Sequence, residues 1–474
     1  MAAIDAVLTT IDANLDASRE RLFDLLRIPS VSTDPAFAAQ CLRAANWLKD
    51  QLNGLGYAAE VRDTPGHPIV VGHAKAKRKD APHVLFYGHY DVQPPDPLEL
   101  WDSEPFAPRL AKAKEGQEGK DGQDGQEGQD IVARGASDDK GQLMTFLEAC
   151  RAFEANGGLP CNVTFLFEGE EETGSPSLPG FLATNRDELS AADLALVCDT
   201  SMWNASTPAI TVMLRGLALE EVIIKGPSRD LHSGMFGGPV LNPIHVLAKI
   251  IAELHDDEGK VTLPGFYAGV PEIPEDIAEQ WRAIDFDEGK WLSEIGLTRV
   301  GGEAGFGVME QIWARPTCDV NGIIGGYTGA GSKTVLPAQA SAKFSFRLVG
   351  KQDAKAILES FRNFVRERLP ADASAEFLPH GASNALQLPF GSEALNRARR
   401  ALAEEWGKEA VLAGCGGSIP IVGAFKRDLN MDSLMIGFAH DDDRIHSPNE
   451  KYSYTSFHKG TRSWARVLHA LAAA

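Results

Sequence analysis

The stretch HVLFYGHYDV, residues 83–92, decides how the rest of the chain reads. Val84 to Tyr87 form a short, unbroken apolar run, the pattern of a strand buried on both faces within a layered sheet. His89 and Asp91 stand at its end, two residues apart and so on one side of an extended chain. A neutral imidazole is a good zinc ligand, and a carboxylate beside it fixes its tautomer. Taken alone, an H-x-D pair is more often a solvated turn.

The same pattern recurs along the chain. HPIVVGH (67–73), NVTFLFE (162–168), DLALVCD (193–199) and SLMIGFA (433–439) are further strand candidates. Helical spacing marks the opening segment from Ile4 to Leu26, and also 140–155, 242–255, 353–369, 391–406 and 449–472. The alternation predicts an α/β fold with a mixed, mostly parallel sheet flanked by helices. The middle differs. AITVMLRGLALEEVIIKG (209–226) has the character of antiparallel strands, 256–316 is irregular and rich in Pro, Gly and Trp, and SAKFSFRLVG (341–350) alternates strictly. In that strand Ala342, Phe344, Phe346 and Leu348 share one face, and Ser341, Lys343, Ser345 and Arg347 the other. An α+β sandwich over 211–384 is therefore expected, inserted into a catalytic domain made of 1–210 and 385–474.

At 474 residues the chain is too long for one ordinary core. With 43% hydrophobic and 24% charged residues, its composition suits a water-soluble globular protein. Lys and Arg number 46 against 66 Asp and Glu, a net charge of −20. Such a surface repels phosphate backbones and anionic lipid, so neither nucleic acid nor membrane is expected as a partner. No run approaches the length of a membrane span. Six cysteines without a C-x-x-C pair argue against a thiolate zinc site or a disulfide scaffold, and favour a reducing compartment. Asp5, Asp12 and Asp16 occupy a region where a signal peptide needs a basic start, so a cytoplasmic location is expected.

Two motifs point away from other chemistries. GGYTGAGSKT (325–334) resembles a phosphate loop, but Ser332 separates Gly331 from Lys333, and a strand pattern follows where a helix is needed. CGGSIP (415–420) is not G-x-S-x-G, and no strand-to-helix elbow is apparent there, so a serine nucleophile is not expected.

Acids and histidines at strand ends carry more. ARGASDDKG (133–141) places Asp138 and Asp139 at a helix start, where a capping role is the simpler reading. FEGEEETGS (167–175) ends a strand with Glu170, Glu171 and Glu172; three acids in a row usually form a surface charge run, but a central strand should not end in one. LVCDT (196–200) contributes Asp199, and DDDRIHSPNEK (441–451) contributes His446. Ligands bind at the carboxyl ends of strands in open α/β sheets. A mixed nitrogen and oxygen cluster without cysteine suits divalent ions, zinc first, with manganese or cobalt as alternatives.

In this order FYGHYDVQP, RGASDDKG, EGEEETGS, CDT, DLHSGMFGG, GSKTVLP, FSFRLV, GGSIP and HSPNEK resemble the motif series of the di-zinc metallopeptidases. That family includes carnosinase-type dipeptidases, glutamate carboxypeptidase, acetylornithine deacetylase and succinyl-diaminopimelate desuccinylase. DLHSGMFGG and the long irregular stretch most resemble the cytosolic dipeptidase branch. The resemblance implies a lid and dimerisation role for 211–384, a homodimer, and two zinc ions per subunit. It implies His89, Asp138 and Asp199 as ligands of one ion and Asp138, Glu172 and His446 as ligands of the other, with Asp138 bridging. Glu171 matches the general base for a metal-bridging water, and Asp91 the partner of His89. His232 matches an oxyanion donor reaching the partner's site, a contribution of about 3–4 kcal/mol in comparable donors, and Thr334 a second donated residue. Arg347, Gly417 and Ser418 match groups that hold the substrate's carboxylate. The implied reaction is hydrolysis of dipeptides or short peptides. Deacylation of N-acyl amino acids on the same centre is the alternative, and a non-catalytic binding protein a more distant one. His440 reads as a loop histidine and Asp139 as structural.

EGQEGKDGQDGQEGQD (115–130) places glycine at every third position. Collagen needs proline and many more triplets, and the acids lack the spacing of an EF-hand loop. The composition predicts a mobile, solvated insertion over 111–130 that lengthens a hairpin turn.

Overall fold

The computed structural model describes residues 3–113, 128–416 and 419–473. Gly417, Ser418 and most of the glycine repeat lie outside the described residues. The chain divides into two compact units: Met1–Val212 with Leu388–Ala413 and Pro420–Ala474, and Met213–Gln387 with Gly414–Ile419.

The first unit is built on a mixed sheet. Its strands lie in the order Ala58–Arg62, Ile69–Ala74, Asn162–Glu168, His83–His89, Leu194–Val197, Asp432–Met435 and Ala209–Leu214. The central four of these run parallel, with His89 opposite Glu168 and Tyr87 opposite Val197. Parallel strands are joined by crossovers, so helices cover the sheet and the strands are apolar throughout. Val84, Leu85, Phe86 and Tyr87 are fully buried or nearly so. Phe86 stacks on Phe146 of helix Lys140–Ala155 with ring centroids 3.7 Å apart, and Trp464 of helix Tyr454–Ala472 meets both rings edge-on. Truncating a ring in such a cluster costs about 3–5 kcal/mol. A small antiparallel sheet, Lys451–Ser453, Gln129–Val132 and Arg109–Lys112, completes the unit. The two arms flanking the repeat pair up to Lys112 opposite Gln129.

In the second unit, strands Thr317–Gly325, Gln339–Leu348, Gly216–Lys225 and Ser374–Ser383 form an antiparallel sheet in that order. Helices Pro243–Ala252 and Ala354–Glu367 close one face around Val222, Ile224, Leu247, Phe344, Phe346 and Phe361. Asn242 and Asp353 cap these helices by accepting from Ile244 N and Lys355 N.

Four details differ from the sequence reading. The 209–226 segment is two strands: Ala209–Leu214 pairs with Asp432–Met435 in the first sheet, and only Gly216–Lys225 joins the second. The last helix begins at Tyr454, because Lys451–Ser453 is drawn into a strand and Ser453 then caps the helix. The irregular stretch holds three short helices, Glu275–Ala283, Glu288–Glu294 and Val308–Trp313. Around CGGSIP, strand Val411–Cys415 does lead to helix Pro420–Leu429, so the strand-to-helix order is present after all. Glycine and proline within that segment hid it.

Candidate metal centre

The parallel strands deliver their carboxyl ends to one edge of the sheet, and the chemistry-bearing residues collect there. His89 ends its strand fully buried. Its Nδ1 faces the Asp91 carbonyl at 3.1 Å and an Asp91 carboxylate oxygen at 3.4 Å. That leaves Nε2 toward Asp138, 3.0 Å away, with Asp199 at 3.9 Å. The other oxygen of Asp138 lies 2.9 Å from His446 Nε2, which is also 3.2 Å from Glu172. Two ligand groups result, His89–Asp138–Asp199 and Asp138–Glu172–His446, each with its donor atoms within 4.8 Å of one another. Asp138 belongs to both.

Local structure explains how adjacent acids come to differ. After strand Asn162–Glu168 the chain tightens into a turn, Glu171–Thr173. Asp91 accepts hydrogen bonds from the backbone N–H of Glu171 (3.2 Å) and of Glu172 (3.1 Å), and from Ser32 Oγ (2.7 Å). It therefore orients His89 and anchors the acidic turn together. Gln93 Nε2 donates to the Glu172 carboxylate at 2.8 Å, and His446 approaches the same group. The Glu171 carboxylate accepts no hydrogen bond among the described residues. One acid is held by its neighbours within a candidate ligand group; the carboxylate beside it is left free.

Asp139 corrects the capping reading. It occupies the N-cap position of helix Lys140–Ala155 but makes no capping hydrogen bond. Its carboxylate accepts instead from His89 N at 3.1 Å and from Cys198 Sγ at 3.3 Å. This ties the Asp138 segment to the end of the His89 strand.

Crowded carboxylates in a buried site shift one another's protonation. Burial, with the Asp138 charge next, pushes Asp199 up to about 7. Burial also raises Glu171, with Glu172 and Asp138 adding to the effect against the opposing influence of His89. Asp138 goes the other way: burial works against its charge, but hydrogen bonds from His446 and His89 prevail and hold it low. The hydrogen bond to Asp138, then that to Glu172, raises His446 to about 10.

The remaining expected residues belong to the second unit. His232 pairs with Val335 across a two-residue ladder, and Ser233 N donates to the Thr334 carbonyl, so His232 and Thr334 are neighbours. Both are exposed, and His232 Nδ1 accepts from Gly234 N at 3.0 Å. Arg347 lies half-buried on the sheet face away from the helices, opposite Leu217 and Thr317. Gly417 and Ser418 lie outside the described residues. A third group, His440–Asp442–Asp443, already has a cation in it. Lys451 Nζ lies 2.8 Å from Asp442 and 3.3 Å from Asp443, and His440 Nε2 meets Ser456 Oγ at 2.9 Å. Sequence reasoning missed Ser32, Gln93, Ser137, Asp443 and Glu450 as supports of the centre. All but Ser32 sit inside the quoted motifs, but only their contacts reveal what they do.

Two imidazoles and three carboxylates without a thiolate form a donor set suited to a pair of divalent ions, and Asp138 presents one oxygen to each group. An unengaged carboxylate alongside is what metal-assisted hydrolysis requires. The fold and the site thus define a metal-dependent hydrolase. The model of "Peptidase family M20/M25/M40" matches residues 85–470, and the chain belongs to that family; it is a metallopeptidase. It is 31% identical to the Cys-Gly metallodipeptidase DUG1 of Candida albicans, over 95% of this chain and 93% of the relative. It is 26% identical to the human Beta-Ala-His dipeptidase, over 99% and 93%. Among solved structures, an M20 family metallo-carboxypeptidase from Sulfolobus solfataricus is 30% identical and superposes with a TM-score of 0.74, covering 96% of this chain and 99% of that one.

Proposed function

We propose that this chain hydrolyses the peptide bond of dipeptides at a centre of two divalent ions, zinc first, held by His89, Asp138, Glu172, Asp199 and His446. The observation that carries the reading is the pair of ligand groups sharing Asp138, with Glu171 free beside them. The names of the relatives support the dipeptide substrate. When bound, the ions would polarise the scissile carbonyl and make water more acidic. Glu171 takes the proton of the attacking water and passes it to the leaving amine; its raised pKa suits a group that must both accept and release a proton. Asp91 keeps His89 in one tautomer and holds the turn on which Glu171 sits. Arg347 has the fork geometry for a substrate carboxylate, with Gly417 and Ser418 as further contacts.

The working form is proposed to be a homodimer, with His232 and Thr334 serving the partner's site. Among the described residues the edge strand Thr317–Gly325 pairs on one side only, and it exposes Ile323 and Ile324 at 60% and 61%. An open apolar edge of this kind is a template for pairing with a second copy. A cytoplasmic location is also inferred, in keeping with six unpaired thiols. No described helix is long and apolar enough to cross a membrane.

Rates on a panel of dipeptides, set against N-acetyl and N-succinyl amino acids, test the substrate, while metal analysis tests the centre. Preference for dipeptides with two ions bound per chain is expected. Acyl substrates faster by orders of magnitude would overturn the dipeptidase reading, and uptake of fewer than two ions would overturn the dinuclear one.

A further inference from the structure

Asp138 and His446 belong to segments 308 positions apart in sequence. One buried carboxylate ties these segments together. Glu450 Oε1 accepts from Ser137 N at 2.9 Å and from Asp138 N at 3.1 Å. Its Oε2 accepts from Gly135 N at 2.9 Å and from Arg134 Nη1 at 2.8 Å. All four donors lie within Arg134–Asp138, and one is the backbone of the ligand Asp138 itself. Hydrogen bonds to a buried charged acceptor are among the stronger ones a protein makes.

A second tie lies on the other side of His446. Ser137 Oγ donates to Asp443 Oδ2 at 2.7 Å, and the same oxygen accepts from His440 N at 2.8 Å. The His446 segment is therefore pinned to the Asp138 segment at Asp443 and again at Glu450. His446 needs such external support: its backbone is left-handed, with φ 61°, and its side chain is half exposed. The opposite ligand group has an independent anchor, because Asp139 accepts from His89 N on the central strand.

We infer that Glu450 is a positioning residue which, aided by the Ser137–Asp443 contact, sets the spacing between Asp138 and His446 and so governs the affinity of one ion of the pair. That ion is the one held by Asp138, Glu172 and His446; the ion of His89, Asp138 and Asp199 depends chiefly on the central strand. The inference rests on the dinuclear reading above. A residue that merely stabilised the fold would weaken both ions alike.

The test uses the full-length metal-free protein, titrated with Zn²⁺ against a chromophoric chelator, and with Co²⁺ followed by its visible spectrum. Glu450→Gln keeps the shape but turns an amide NH₂ toward N–H donors. The ion held by Asp138, Glu172 and His446 is expected to lose about 10–100-fold in affinity, with the other little changed and only one cobalt signature altered. Excess metal should restore turnover with KM unaltered. Wild-type affinity for both ions, or equal loss of both, overturns the inference. Should Glu450→Gln fail to fold, Ser137→Ala decides by the same criterion: selective weakening supports it, and no weakening or equal weakening overturns it. Wild-type protein that takes up fewer than two ions removes the dinuclear reading, and the inference with it, before any variant is compared.

Discussion

The metal centre and the His232 segment make an instructive contrast. In the first unit His89 is fully buried, and the ligands around it are braced by Asp91, Gln93, Asp139 and Glu450. In the second, His232 and Thr334 are exposed on a two-residue ladder and braced by little beyond backbone contacts. Ligands that must meet an ion at fixed distances need rigid support, since binding to a mobile set loses affinity to ordering. A donor that touches only a passing substrate is under no such demand within its own unit. On the proposed roles, bracing by neighbouring groups separates residues that hold something permanently from those that engage it during turnover.

The largest expected effect would break the contrast at its centre. Glu171→Gln should cut kcat by about 10²–10⁴-fold while both ions stay bound, because Glu171 belongs to neither candidate ligand group and its carboxylate accepts no hydrogen bond among the described residues. Undiminished turnover with normal metal content would remove it as the base. Next comes His232→Ala, expected to lower kcat by about 10²–10³-fold without touching metal content. Mixing it with Glu171→Gln sharpens the point. If His232 acts on the partner subunit, a mixed dimer has one complete site and activity returns; if it acts within its own chain, the mixture stays dead.

A smaller effect concerns pH. Asp138 and then Glu172 keep His446 protonated up to about 10 in the metal-free protein. An ion requires the neutral imidazole, so binding near pH 7 must expel a proton. Affinity should therefore rise with pH toward about 10 and fall below it. Calorimetry in buffers of different ionisation enthalpy measures the proton release, and a pH-independent affinity would contradict this account. The smallest effect is expected at the glycine repeat. Replacing 114–127 with a two-residue turn should leave metal content and turnover nearly unchanged, since closing a shorter loop changes stability only slightly. A large loss would mean the insertion has a role in the reaction.

Much of the fold was legible because its strands are buried on both faces. HVLFYGH and NVTFLFE announce themselves by unbroken apolar character, and both coincide with observed strands. Helix Lys140–Ala155 was equally plain. Elements whose character depends on a neighbour were not. Lys451–Ser453 is a strand only because Gln129–Val132 lies beside it, and Ala209–Leu214 leaves its sequence neighbours to pair with Asp432–Met435. The metal-ligand candidates were legible as acids and histidines at strand ends. Which of two adjacent acids is held and which is free followed only from the motif resemblance, not from residue type or periodicity.

Residue type, strand periodicity and motif order therefore determined the α/β architecture and the candidates His89, Asp138, Glu171, Glu172, Asp199 and His446 by sequence alone. They suffice because burial and ligand chemistry are properties each residue carries with it. Only the tertiary structure decided that Asp138 faces two histidines at once, that Asp139 supports His89 and does not cap its helix, and that Glu450 joins two distant segments. Those are matters of distance between groups remote in sequence, and distance exists only once the chain has folded.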